Sequence, residues 1–246
     1  MTIETKKLFK EAGLNLLISL AIFAVVITFL FCVDLHDTIK PIAIVSGLLG
    51  VSYVLTIKNP ANYIGFVIGI LSSFALGIQF FMGKMYDWTF LYFAVFVPCQ
   101  IYTLYVWLKG SQTQNSKPFL PSFLGLKKRM LVLLIAVAMI IVDLFVVNLM
   151  QGNGLTLKSL QSNGQGIWIT LMGATGVASS ILANFLLIQK RTDAWIYWVI
   201  FSIASVILQL LLKDYVTLTL FVVYTIINAN ALIAWVKMTP KNNQKV

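Results

Sequence analysis

The chain has 246 residues, of which 59% are hydrophobic and only 11% charged, with a mean hydropathy of +0.90. Soluble domains carry about 25% charged residues, so this composition excludes a water-soluble domain and marks an integral membrane protein. One histidine and two cysteines (Cys32 and Cys99, neither in a CxxC) leave too few ligands for a zinc or iron–sulfur site. No GxxxxGK[ST] loop is present for ATP, and no cofactor is expected. The net charge of +10 reads first as membrane topology rather than as a nucleic-acid footprint.

Taken in chain order, the N-terminus carries Lys6, Lys7 and Lys10 before an apolar stretch. That stretch is about 20 residues, longer than the 7–15 of a signal-peptide core, and no A-x-A-like site follows. It reads as a retained transmembrane helix over 14–33. Further spans of bilayer length follow at 41–57, 61–83, 88–108, 130–150, 167–189, 194–212 and 215–236. The second is short, and Lys58-Asn59-Pro60 ends it by proline rather than by polarity. Barrel strands would be shorter and would alternate, so the expectation is an all-α integral membrane protein with eight transmembrane helices.

Eight crossings sort the basic residues sharply. Both termini and the connections at 58–60, 109–129 and 190–193 share one side, with fourteen of the 18 lysines and arginines. The other side holds Lys40, Lys84, Lys158 and Lys213. The positive-inside rule then places both termini in the cytoplasm, with the protein in the cytoplasmic (inner) membrane. The run Lys127-Lys128-Arg129 is accounted for as an inside anchor, and no nucleic-acid partner is expected.

The two halves repeat. Phe96, Gln100, Thr103 and Trp107 in the fourth span correspond to Tyr224, Asn228, Ala231 and Trp235 in the eighth, each pair 128 residues apart. Steps of 4, 3 and 4 put each set on one helical face. Gly47 and Gly50 match Gly173 and Gly176 at an offset of 126. Spans 2–4 and 6–8 therefore read as two parallel three-helix bundles (3+1+3) plus an N-terminal helix. A unit of three crossings ends on the opposite side from where it began, so span 5 is needed to reset the second unit. The expected segments are 1–40 for the N-terminal helix and outside loop and 41–110 for the first bundle. Residues 111–166 form the cytoplasmic loop and linker helix, 167–237 the second bundle, and 238–246 a cytoplasmic tail.

Span 7 carries Trp195, Trp198, Ser202, Ser205 and Gln209 on one face. A polar stripe facing lipid costs free energy, so it faces protein or a water-filled cavity. Gln100 and Thr103 lie next to Pro98, whose missing N–H invites a kink. Tyr224, Asn228 and Asn230 come from span 8, and Ser72, Ser73 and Gln79 from span 3. The competing readings are ordinary ones. Trp88, Trp107, Trp168 and Trp235 fit an aromatic belt at helix ends, and Trp195 stands between belt and site. Trp198 lies one turn deeper and reads as site. Ser72, Ser73 and Asn230 fit interhelical hydrogen bonding equally well. The site expected from the repeats is a solute site made of Trp195, Trp198, Ser202, Gln209, Gln100, Thr103, Tyr224 and Asn228.

Acidic residues fall at or beyond helix ends, with one exception. Asp143 lies within span 5, where it is either a proton-coupling group or a structural contact to another helix or subunit. No basic residue lies at its depth, which favours facilitated diffusion over pumping. His36 stands in the outside loop beside Asp34 and Asp37 and reads as a solvated residue, so an enzyme is not expected.

Two segments carry a resemblance. WIYWVIFS (195–202) resembles the W-x-x-W-x-x-x-N segment of PnuC-type vitamin transporters. PCQIYTLYVW (98–107) resembles their P-x-Q-x-x-G-W-x-x-W segment. The resemblance covers spans 2–8. It implies a 3+1+3 arrangement related to SWEETs, a homotrimer, and uptake of nicotinamide riboside by facilitated diffusion with trapping by a cytoplasmic kinase. By residue, it matches Trp195, Trp198, Gln100 and Trp107. It departs where Ser202 replaces the usual Asn, where Gln209 replaces a common aromatic, and where Thr103-Leu104 replaces Gly-Trp. Thiamine, riboflavin or a nucleoside therefore stay open as solutes. A sugar facilitator and a membrane structural or assembly subunit are the other readings. Stacking on tryptophan and a cation–π contribution of about 0.5–2 kcal/mol suit a pyridinium or thiazolium ring.

Overall fold

The computed structural model describes residues 3–32, 41–59, 62–83, 85–113, 121–150 and 164–240. Asp34, His36, Asp37, Lys40, Lys84, Lys117, Lys158, Lys241 and Lys245 lie outside the described residues. Among the described residues eight helices follow in order: α1 (Ile3–Cys32), α2 (Pro41–Ile57), α3 (Ile64–Met82), α4, α5 (Leu126–Met150), α6 (Gly164–Ile188), α7 (Asp193–Leu212) and α8 (Tyr215–Met238). Helix α4 is continuous through three segments, Tyr86–Phe90, Leu91–Phe96 and Val97–Thr113. Seven of the eight are long and apolar enough to cross a membrane. Helix α2 has 17 residues, which at 1.5 Å per residue is about 26 Å, the lower limit for a span. Among the described residues there is no strand, only an isolated bridge between Ser122 and Arg191. The chain is a multi-pass, all-helical membrane protein.

Helix α1 starts well before the apolar stretch at 14 because its first turns find polar partners. The Asn59 amide donates to both oxygens of Glu11 at 3.0 and 2.9 Å, and Asn62 donates to the Leu8 carbonyl at 3.1 Å. One turn on, Asn15 donates to Thr56 Oγ1 at 3.2 Å. The kink expected at Pro98 takes the form of a π-helical turn. Proline has no N–H to close the ladder, and the bonding adjusts just upstream. Leu91–Phe96 is π-helical, and the Val97 N–H reaches back five residues to the Tyr92 carbonyl.

The chain divides into two compact units, residues 1–121 with 233–238 and residues 122–232 with 239–246. In the first, α2 packs against α1 and α3, and α3 against α4. The last turn of α8 belongs here: the Trp235 indole N–H donates to the Lys58 carbonyl at 3.2 Å. In the second, α6 packs against α5 and α7. The repeated glycines Gly47, Gly50, Gly173 and Gly176 are all buried, as close helix approach requires.

The basic run does more than anchor. It opens α5, where three cations oppose the helix dipole, and Arg129 is compensated from α7. Asp193 accepts from Arg129 Nε at 2.8 Å and from the Leu124 N–H at 2.7 Å. The turn before α7 is laced to the same segment. Thr192 N–H donates to the Ser122 carbonyl at 3.0 Å, Ser122 N–H to the Lys190 carbonyl at 3.4 Å, and Arg191 Nη1 to Ser122 Oγ at 2.6 Å.

Candidate functional site

In the first unit, Gln100 is the centre of a buried polar group. It lies on α4 one turn past the π-helical segment, and its Oε1 accepts from Ser73 Oγ of α3 at 3.1 Å. Tyr53 of α2 packs its ring over Gly69, beside the Gln100 amide. Thr103 returns its hydroxyl to the Cys99 carbonyl at 2.6 Å, the usual fate of a threonine inside a membrane helix. Phe66 packs edge-on against Trp107 at 4.8 Å and tilted against Tyr53 at 6.2 Å. Behind this group, Ser46 Oγ donates to Gln79 Oε1 at 2.7 Å and Ser72 Oγ to the Ser46 carbonyl at 3.2 Å. Ser72 and Gln79 are thus helix-to-helix bonds, whereas Ser73 holds Gln100.

In the second unit, Trp195, Trp198 and Ser202 are all buried on α7. Ser202 Oγ donates to the carbonyls of Trp198 (2.9 Å) and Val199 (3.1 Å). From α8, Asn228 Nδ2 donates to the same Trp198 carbonyl at 3.2 Å and lies 3.4 Å from Ser202 Oγ. The Asn228 Oδ1 is buried with no hydrogen-bond partner among the described residues. An aromatic series runs from Trp198 to Phe201 (5.4 Å), Phe221 (5.6 Å) and Tyr224 (5.7 Å), each pair edge-to-face, the arrangement ring quadrupoles favour.

All eight residues of the repeated face are buried: Phe96, Gln100, Thr103, Trp107, Tyr224, Asn228, Ala231 and Trp235. Three tryptophans therefore depart from the belt reading. Trp88, Trp107 and Trp235 are packed inside the protein, and only Trp168, 55% exposed, keeps the exposure a belt requires. Asn230 also departs. It is exposed, on the side of α8 away from Asn228, because two residues turn a helix by about 200°. Gln209 is buried as expected but lies in the last turn of α7, roughly 10 Å beyond Ser202 at helical rise. Its carbonyl accepts the Asp214 N–H at 3.1 Å, and its Nε2 is buried without a partner among the described residues. Asp143 is half-buried on α5, the helix packed against α6.

Sequence reasoning missed Tyr53, Phe201 and Phe221. Nothing in their local pattern sets them apart from other aromatics in apolar helices, although Tyr53 faces the small residue Gly69, a pairing that alternation of large and small could suggest. None of the eight expected site residues is charged. They offer hydrogen bonds and ring faces, and among the described residues no cluster of three His, Cys, Asp or Glu could hold a metal ion.

A family model described as Nicotinamide mononucleotide transporter matches residues 40–237, and the chain belongs to that family. It is similar to the nicotinamide riboside transporter PnuC of Escherichia coli (strain K12), 25% identical over 212 residues that cover 80% of this chain and 84% of the relative. The protein of the same name from Shigella flexneri matches with the same figures. The fold resembles the crystal structure of the vitamin B3 transporter PnuC, with a TM-score of 0.65 and 21% identity over 94% of this chain and 92% of that one. The family is one of transporters, so the chain is a transporter and not an enzyme. Helix α1 precedes the matched segment.

Proposed function

We propose that this member of the family imports nicotinamide riboside by facilitated diffusion, and that a cytoplasmic kinase traps the product. The observation that carries the choice is the chemistry of the two buried groups, in which every named side chain is uncharged. A phosphate is best held by charge-assisted bonds to Arg or Lys, so these residues suit the riboside rather than the mononucleotide. In the second unit Trp198 and Tyr224 offer faces for a ring, and Ser202 and Asn228 offer hydrogen bonds to hydroxyls or a carboxamide; in the first unit Gln100 offers hydrogen bonds of its own. Trp195 stands beside Trp198 on α7 with Gln209 farther along the same helix, and Thr103 stands beside Gln100 on α4, as further candidate residues of each unit.

The same proposal places the protein in the inner membrane with both termini cytoplasmic, on the strength of the fourteen-to-four division of basic residues. The two three-helix bundles, 41–110 and 167–237, are supported by the sequence repeat. A homotrimer is supported only by the family resemblance. Asp143 is read as a structural contact from the linker helix, not as a coupling group.

The test is trapping of labelled nicotinamide riboside in cells that contain the kinase, with and without the transporter. Trp198→Ala is expected to abolish uptake while membrane level and oligomer size stay as in the wild type. Equal trapping in cells lacking the protein removes the substrate. Loss of assembly in the variant, with residual monomer still taking up solute, removes Trp198 from the site.

A further inference from the structure

We infer that Asn228 acts as a polarity reader: it presents a hydrogen-bond acceptor and selects solutes that bring a donor to that point. The inference rests on the nucleoside-uptake reading above and specifies what the amide does within it.

The argument begins with the Trp198 carbonyl. Besides its place in the helix ladder, it receives the Ser202 hydroxyl at 2.9 Å and the Asn228 amide nitrogen at 3.2 Å. A carbonyl can only accept, so the amide group facing it must be the NH2. The usual ambiguity between the oxygen and nitrogen of an asparagine is removed here by its neighbour. Ser202 does not reverse this assignment. Its own proton is directed to backbone carbonyls of α7, so toward Asn228 it too can only accept.

Both α7 partners therefore pin the nitrogen, and the oxygen is turned away from them. That oxygen is buried and lacks a partner among the described residues. Buried polar atoms are nearly always hydrogen-bonded, and an exception calls for an explanation. Asn228 stands one helical turn from Tyr224, on the same face of α8, so its oxygen belongs to the aromatic-lined group and not to a structural contact elsewhere. A carboxamide N–H, a ring amine or a hydroxyl satisfies it. A carboxylate or ring carbonyl would set acceptor against acceptor.

Two matched solute pairs test this on the purified full-length protein by calorimetry. The first is nicotinamide riboside against nicotinic acid riboside, which exchanges an NH2 for a carboxylate oxygen. The second is cytidine against uridine, which at constant charge exchanges the exocyclic C4 amine for a carbonyl while N3 passes from acceptor to N–H donor. The wild type is expected to favour the donor member of a bound pair by at least about tenfold. Asn228→Leu, close in volume, is expected to bring that ratio within about twofold. Equal wild-type affinities in both pairs overturn the inference, as does a preference that survives in a variant eluting like the wild type. Should the variant fail to fold, the wild-type ratios alone decide. Uptake of nicotinamide riboside without donor preference removes the acceptor role and leaves the proposed function. Donor preference for cytidine without binding of either pyridine riboside does the reverse, and absence of binding by all four solutes overturns both.

Discussion

Replacing Gly69 by alanine tests how tightly Gln100 is held. A Cβ at this position would lie 2.7 and 2.8 Å from two ring carbons of Tyr53 and 3.2 Å from Gln100 Nε2. Carbon pairs rest at about 3.5–4.0 Å, so the ring must retreat by roughly 1 Å. It has little room. Tyr53 packs on Phe66, which is itself held edge-on against the buried Trp107 at 4.8 Å. Overpacking of this kind costs about 1–3 kcal/mol, and alanine returns up to about 1 kcal/mol of helix propensity. A net destabilisation of about 1–2 kcal/mol is expected. The amide of Gln100 is displaced with the ring, and loss of one hydrogen bond of about 1 kcal/mol weakens solute binding about fivefold. Both effects are measured on purified protein, the first by denaturant unfolding in micelles and the second by calorimetry. Gly13→Ala is the matched control, since nothing lies within 4 Å of its Cβ, and it should stabilise by up to about 1 kcal/mol. If Gly69→Ala behaves like Gly13→Ala in both assays, Tyr53 and Gln100 are not packed as described.

Asp193→Asn is expected to destabilise by about 2 kcal/mol, because an amide cannot accept from both the Leu124 N–H and Arg129 Nε without turning an NH2 toward one of those donors. The pair is discounted for solvent on its arginine side, which is 38% exposed; a change below about 0.5 kcal/mol in micelle unfolding would show that water replaces the carboxylate without loss. Lys213→Gly should stabilise by about 1 kcal/mol, since Lys213 ends α7 in the left-handed region at φ 58°. A lowered unfolding midpoint for that variant would mean that the lysine side chain contributes more than the backbone strain costs.

The number and placement of the helices were legible in the sequence because bilayer thickness and basic-residue asymmetry constrain them independently. Helix ends were less legible. The polar start of α1 looks like a tail until Asn59 and Asn62 supply its partners, and these come from a turn some fifty residues away in sequence. Tryptophans near helix ends carry the same signal whether they sit in a belt or inside the protein. Burial of Trp88, Trp107 and Trp235 is decided by which neighbour, Phe80, Phe66 or the Lys58 carbonyl, meets each indole. Asp193 was legible only as a helix-start acid; its arginine lies 64 residues away. The polar face of α7 was legible by periodicity alone, since Trp195, Trp198, Ser202, Ser205 and Gln209 are all buried.

The repeat itself shows a limit of a different kind. Gln100 and Asn228 occupy equivalent positions, both buried and both amides, and the sequence treats them as the same feature. Their partners make them unlike. Ser73 of α3 donates to the oxygen of Gln100, whose nitrogen lies on the side of Tyr53 and Gly69. The Trp198 carbonyl of α7 takes the nitrogen of Asn228 and leaves its oxygen. Equivalent positions thus end in opposite orientation: the neighbouring helix takes the oxygen of Gln100 and the nitrogen of Asn228. A side chain's identity fixes which atoms it carries, but the neighbouring helix fixes which atom is left over.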